Sequence, residues 1–199
     1  MPCFRFPPRL DIIEMHEKMN LSRILVLGGA RSGKSSYAQH IVDCMWKRPL
    51  FLATAEVLDS EMKSRIETHK KTRGRKWTCI EEPLDIDRII RDNPCGADGI
   101  LVDCLTIWLS NVLLKEGFAA IKRRKHALID AVHTANQNII LVSNEVGMGI
   151  VPETELGRTF RDCAGRLNQE LAAEVDTVVF VVAGIPMLVK GCLPDVRQK

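Results

Sequence analysis

The 199-residue chain is 46% hydrophobic and 27% charged, and its net charge is +3 with histidines neutral. That length suits one domain with a sizeable core, and the charge is too mild for nucleic acid or an anionic membrane to be the main partner. No apolar run approaches the roughly 20 residues of a membrane span.

Residues 1–20 contain Pro2, Pro7 and Pro8 and lack the apolar stretch of a signal peptide. They read as a poorly ordered extension, with Met19 an alternative start, and residues 21–199 as a single domain. A β-rich run, Arg23 to Leu27, ends in glycines, and a helix follows from about Lys34 to Trp46. Leu50 to Ala53 reads as a strand, and Ser60 to Lys71 as a polar helix. A basic loop leads to a short strand at Thr78 to Ile80, with a helix expected after Pro83. Ile100 to Val102 is a buried strand, followed by helices over Thr106 to Lys115 and Lys122 to Asn136. Then come a strand at Ile139 to Val142, a long helix from Glu153 to Glu174, a strand at Thr177 to Val182 and an edge strand at Met187 to Val189. Alternating strands and helices, with continuous Val/Ile/Leu strands, predict an α/β fold: a mostly parallel sheet covered by helices on both faces.

The seven cysteines (Cys3, Cys44, Cys79, Cys95, Cys104, Cys163 and Cys192) form no CxxC or CxxH cluster, which gives zinc no support. Their odd number argues against a complete disulfide framework. They are read as buried free thiols of a reducing cytoplasm.

Gly28-Gly29-Ala30-Arg31-Ser32-Gly33-Lys34-Ser35 fits G-x-x-x-x-G-K-[ST] between a strand and a helix, as a phosphate-binding P-loop requires. Glycines let the backbone wrap phosphate oxygens, and successive N–H groups with the helix N-terminus point at the anion. Lys34 is expected to reach the β and γ phosphates, and Ser35 to ligate Mg²⁺. Asp103, at the end of Ile100-Leu101-Val102, is the expected second contributor to the Mg²⁺ shell. The competing reading is an Asp that caps the next helix.

His69 follows Met62 and Ile66 at i+7 and i+3, so it shares their apolar helix face. It reads either as a core or interface histidine, or as a nucleophile that attacks a nucleoside α-phosphate and displaces pyrophosphate. Arg65, Lys70, Lys71, Arg73, Arg75 and Lys76 surround it in sequence, as a triphosphate-neutralising set or as a solvated basic loop. Asn144 and Glu145 follow the Ile139 strand directly, where open α/β sheets bind ligands. Gly147-Met148-Gly149 follows, and Arg158, Arg161 and Asp162 share one side of the next helix.

These segments resemble the bifunctional adenosylcobinamide kinase / adenosylcobinamide-phosphate guanylyltransferases of cobalamin biosynthesis. The resemblance is carried by the phosphate loop, Ala53-Thr54-Ala55, Glu61-Met62 with Arg65-Ile66 and His69, and Trp77 through Glu81. It continues through Asp103 to Asn111, Ser143 to Pro152, and Phe160-Arg161-Asp162 with Gly165, Asn168 and Gln169. It covers about Ser22 to Gly184, and the stretch from Asn144 to Pro152 is its most specific part.

The resemblance implies two reactions: phosphorylation of adenosylcobinamide by ATP or GTP, then transfer of GMP from GTP to that phosphate through a histidine, here His69. It implies nucleotide contacts at Gly28 through Ser35, Ala53, Thr54, Ala55, Lys70, Glu81 and Asp103, and a ring-shaped homotrimer. The loop after His69 departs from the family in carrying Arg73-Gly74, where Arg-Pro is frequent. A small-molecule kinase without guanylyl transfer would need only Lys34, Ser35 and Asp103. A guanine-dependent switch is disfavoured, because Ser143-Asn144-Glu145 is not the Asn-Lys-x-Asp base-reading motif.

Overall fold

The computed structural model describes residues 21–56 and 76–193. The expected extension at 1–20 and the expected helix from Ser60 to Lys71, with His69 and Lys70, lie outside those residues.

Seven strands form one sheet in the order β3-β2-β4-β5-β1-β6-β7. They are β1 (Arg23–Gly28), β2 (Pro49–Ala53), β3 (Thr78–Glu81), β4 (Gly99–Asp103), β5 (Asn138–Asn144), β6 (Thr177–Val182) and β7 (Ile185–Lys190). Every pairing is parallel except β6 with β7. The β6–β7 hairpin turns on Ala183 and Gly184, both at positive φ (51° and 82°), which matches the twist of the two strands it joins.

Side chains alternate across the pleat and build two cores. Ile24, Val26, Phe51, Leu101, Ile140, Val142 and Val179 pack on one face with α1 (Lys34–Met45). Leu25, Leu50, Leu52, Ile100, Val102, Ile139 and Leu141 pack on the other. There they meet α2 (Ile86–Asp92), α3 (Leu105–Glu116), α4 (Phe118–Thr134) and α5 (Glu155–Glu174). Trp46 closes the α1 face against Gly99, where an added Cβ would lie 2.5 Å from the indole. On the other face Trp108 is fully buried, and its indole N–H donates to the Leu84 carbonyl at 2.9 Å.

Three expectations shift. The helix expected from Lys122 begins at Phe118, because Gly117 (φ 82°) both ends α3 and starts α4. The long helix starts at Glu155, where the Thr154 hydroxyl caps it by accepting from Gly157 N at 3.1 Å. Among the described cysteines, Cys44, Cys79, Cys95 and Cys192 are exposed, Cys163 is half-buried and Cys104 alone is buried. The buried-thiol expectation therefore holds only where a cysteine sits between a core strand and a core helix.

Candidate active site

The phosphate loop takes the conformation its glycines permit. Gly28 (φ 152°) leaves β1 so close to β6 that a Cβ there would lie 2.4 Å from the Val181 carbonyl oxygen. Gly33 (φ 98°) starts α1 in the left-handed region. The β6–β7 turn braces the loop from outside: Gly184 N donates to Ser32 O at 2.8 Å. Arg31, Ser32, Gly33, Lys34, Ser35 and Ser36 line a cavity of about 240 Å³. The Ser32 hydroxyl oxygen is buried and has no hydrogen-bond partner among the described residues.

Lys34 is only 6% exposed, and its Nζ donates to the Gly29 carbonyl at 2.6 Å. Burial holds its pKa below the ordinary lysine value, while Cys104 and Asp103 push it back up. The ammonium is thus partly desolvated, with a carboxylate in electrostatic range, and is attracted to anionic oxygen.

Asp103 ends β4 in register with Ala53, and Ala53 is in register with Glu81. Gly28 is in register with Asn144. The loop, Ala53, Glu81, Asp103 and Asn144 therefore share the carboxyl edge of the sheet, where open α/β sheets take ligands. Asp103 has the parity of Leu101, which places it on the α1 face with Lys34. Ser35 and Asp103 are both hard oxygen donors. Mg²⁺ typically takes one or two protein oxygens and completes its shell with water and phosphates, so this pair fits it.

Thr54, expected as a nucleotide contact, is fully buried. Its hydroxyl donates to Cys104 O at 2.7 Å and accepts from Cys104 N at 2.9 Å. Asn111 Nδ2 donates to the Thr54 carbonyl at 2.8 Å and to Pro83 O at 3.2 Å. Within the chain this side chain fixes the residue after Asp103. Burial also pushes the Cys104 thiol pKa up, with Asp103 adding to the shift.

Thr106 Oγ1 accepts from Asn144 N at 2.7 Å, and Glu145 N donates to the Gly28 carbonyl at 2.9 Å. Glu145 is thereby tied to the first residue of the phosphate loop, and its carboxylate accepts from Gly147 N at 2.6 Å. Arg158 instead binds the Pro152 and Glu153 carbonyls. Lys76, read from sequence as part of either a triphosphate-neutralising set or a solvated basic loop, caps the C-terminus of α1: it donates to Asp43 O at 2.9 Å and Trp46 O at 3.1 Å and pairs with the Asp43 carboxylate. The sequence reading missed the β6–β7 turn as a brace of the loop. Its signal was Ala183-Gly184 between two apolar runs.

Residues 24–189 match the family described as cobinamide kinase / cobinamide phosphate guanyltransferase. The chain is 41% identical over 169 residues to the bifunctional adenosylcobalamin biosynthesis protein CobP of Pseudomonas aeruginosa, covering 85% of this chain and 98% of that one. It is also 41% identical over 180 residues to the bifunctional adenosylcobalamin biosynthesis protein CobU of Salmonella typhimurium, covering 84% and 99%. Among solved structures it is similar to an ATPase of a type III secretion system, with a TM-score of 0.51 at 12% identity, over 80% of this chain and 50% of that one. The assembled ATPase EscN of enteropathogenic E. coli gives the same TM-score at 12% identity, over 81% of this chain and 43% of that one. This chain thus spans half or less of those ATPases, and the likeness is one of fold.

Proposed function

Because the chain belongs to the cobinamide kinase / cobinamide phosphate guanyltransferase family, we propose that it phosphorylates adenosylcobinamide with ATP or GTP and then transfers GMP from GTP to the product. The observation that carries this reading is the family match over residues 24–189, which includes an intact phosphate loop with a buried Lys34.

In the first reaction the loop N–H groups and Lys34 neutralise the β and γ phosphates. Gly28 through Ser35, Ala53, Ala55, Lys70, Glu81 and Asp103 are the proposed nucleotide contacts, and Thr54 holds Asp103 in place. Ser35 and Asp103 are the residues to hold Mg²⁺, which when bound offsets charge on the transferring phosphoryl group. The acceptor hydroxyl oxygen bonds to the γ-phosphorus as the bond to the bridging oxygen breaks, and the nucleoside diphosphate leaves. We take Glu145, whose backbone is anchored beside Gly28, as the group that accepts the hydroxyl proton.

In the second reaction an imidazole nitrogen of His69 attacks the α-phosphorus of GTP and pyrophosphate leaves. A phosphate oxygen of the first product then attacks that phosphorus, the P–N bond breaks and His69 is restored. The same reading makes the protein a cytoplasmic homotrimer. Exposed apolar side chains on edge strand β7, Ile185 at 66% and Val189 at 65%, are consistent with a subunit contact.

The test is intact-mass spectrometry of wild type and His69→Ala after incubation with GTP and Mg²⁺. A GMP-sized adduct on wild type alone is expected. If neither protein carries an adduct, with adenosylcobinamide phosphate present or absent, guanylyl transfer through His69 is lost and the kinase-only reading remains.

A further inference from the structure

A second, larger cavity of about 550 Å³ lies on the sheet face opposite α1 and runs from Glu145, at the carboxyl edge, to Val178 and Val189, the latter one of the exposed β7 side chains proposed above for a subunit contact. Its floor includes Leu27 of β1 and Val178 of β6, both on the α5 face of the sheet. Its wall is α5, where Arg161, Gly165, Asn168, Gln169 and Ala172 recur at helical spacing and form one face. Glu145 closes the end nearest the phosphate loop.

Two features mark this cavity as built for an occupant. Asn168 is 5% exposed and lines the cavity, and its Oδ1 has no hydrogen-bond partner among the described residues, although its Nδ2 donates to Asn144 O at 3.4 Å. A buried amide oxygen left without a donor is costly unless a ligand provides one. Gly165 sits in the middle of a 20-residue helix, where glycine is less favourable than alanine. A Cβ built there meets nothing within 4 Å among the described residues. None of these requires a glycine at that position, and what its missing side chain leaves is room.

The geometry points to this cavity as the site for the phosphoryl acceptor's hydroxyl-bearing arm, an inference that rests on the kinase reading above. In-line transfer sets the attacking and leaving oxygens on opposite sides of the phosphorus. The phosphate loop leads into α1 on one face of the sheet, and the cavity lies on the other, meeting Glu145 beside Gly28; that arrangement offers the acceptor a side of the transferred phosphoryl group that α1 does not occupy. The lining suits a neutral, amide-bearing ligand: Arg161 and Arg166 are balanced by Asp162 and Glu145, Asn168 and Gln169 offer amides, and the floor is apolar. The volume falls within the range for small-molecule sites and takes a side arm, leaving a macrocycle outside.

The experiment measures phosphorylation of adenosylcobinamide by the full chain, as KM for the acceptor and for the nucleotide separately. Gly165→Leu fills the cavity, Gly165→Ala fills it slightly, and Arg161→Gln removes a charge from its lining without filling it. We expect the acceptor KM to rise more than tenfold in Gly165→Leu, less in Gly165→Ala and severalfold in Arg161→Gln, with the nucleotide KM unchanged in all three. An acceptor KM at the wild-type value in folded Gly165→Leu and in Arg161→Gln overturns the assignment while wild-type turnover upholds the kinase reading. A rise in nucleotide KM alone also overturns it, by making the cavity part of the nucleotide site. Wild-type protein that never phosphorylates adenosylcobinamide overturns both.

Discussion

Replacing Thr54 with Val keeps the side-chain volume and removes one oxygen. That oxygen serves both backbone groups of Cys104, accepting from its N–H at 2.9 Å and donating to its carbonyl at 2.7 Å. In Thr54→Val the buried Cys104 N–H loses its partner, at a cost of about 1–3 kcal/mol. The Cys104 carbonyl still accepts from Trp108 N at 3.1 Å, so its loss is smaller, about 0.5–1.5 kcal/mol. The sum is about 3 kcal/mol, which for a chain of this size lowers Tm by roughly 6–12 °C. Because Cys104 follows Asp103, the Mg²⁺ concentration giving half-maximal kinase turnover should also rise, by about tenfold, since displacements near 1 Å are costly at a reacting centre. Thr54→Ser keeps the hydroxyl and loses one methyl, at about 0.8 kcal/mol. Urea denaturation and a Mg²⁺ titration of kinase turnover read both effects. A Thr54→Val protein as stable as wild type, but with a raised nucleotide KM, would refute this reasoning and return the hydroxyl to the nucleotide.

Two further outcomes follow from buried charge. Lys34→Met should abolish kinase turnover yet leave the ligand-free protein at least as stable as wild type, because it removes a desolvated ammonium. The folded pKa of Lys34 lies below its unfolded value, so the unfolded chain binds more protons between the two. The stability advantage of the mutant should therefore be full below the folded pKa and shrink as pH rises through it toward the ordinary lysine value; a pH-independent difference in urea midpoints would contradict it. Arg124 is bonded to both Glu116 oxygens and to Asp85 at 2.5 Å, and it clasps α4 to the end of α3 and the start of α2. Arg124→Met should cost about 1–2 kcal/mol at pH 7. Glu116 is held below the usual carboxylate range mainly by its hydrogen bond to Arg124. That part of the stability is present above the unfolded carboxylate pKa and lost as pH falls through the folded one. Wild-type and mutant denaturation curves should accordingly converge in acid, and a gap that stayed constant down to pH 3 would count against the coupling.

Local patterns carried most of the element order. The Val/Ile/Leu runs marked β1, β4, β5 and β6 to within a residue or two, because buried parallel strands must be apolar on both faces. Helix starts were less legible: Phe118 is 63% exposed and breaks the apolar period, so the pattern puts the start of α4 at Lys122. The phosphate loop was legible because its backbone path demands glycines at fixed spacing. What lies around it was not, because strand order and register bring together residues far apart in the chain. Thr54 sits beside the loop's neighbours in sequence patterning, yet pairing between β2 and β4 turns it into the clamp on Cys104. Lys76 reads as one more cation of a basic stretch until α1 ends within its reach. Gly165 is the converse case. A mid-helix glycine in sequence signals only a small loss of helix stability, and it becomes informative once the sheet, Asn168 and Glu145 place a cavity beside it. The chemistry of the transferred group was therefore written in one contiguous motif. The acceptor's side of the reaction is written in residues from three parts of the chain that only the folded sheet brings to one edge.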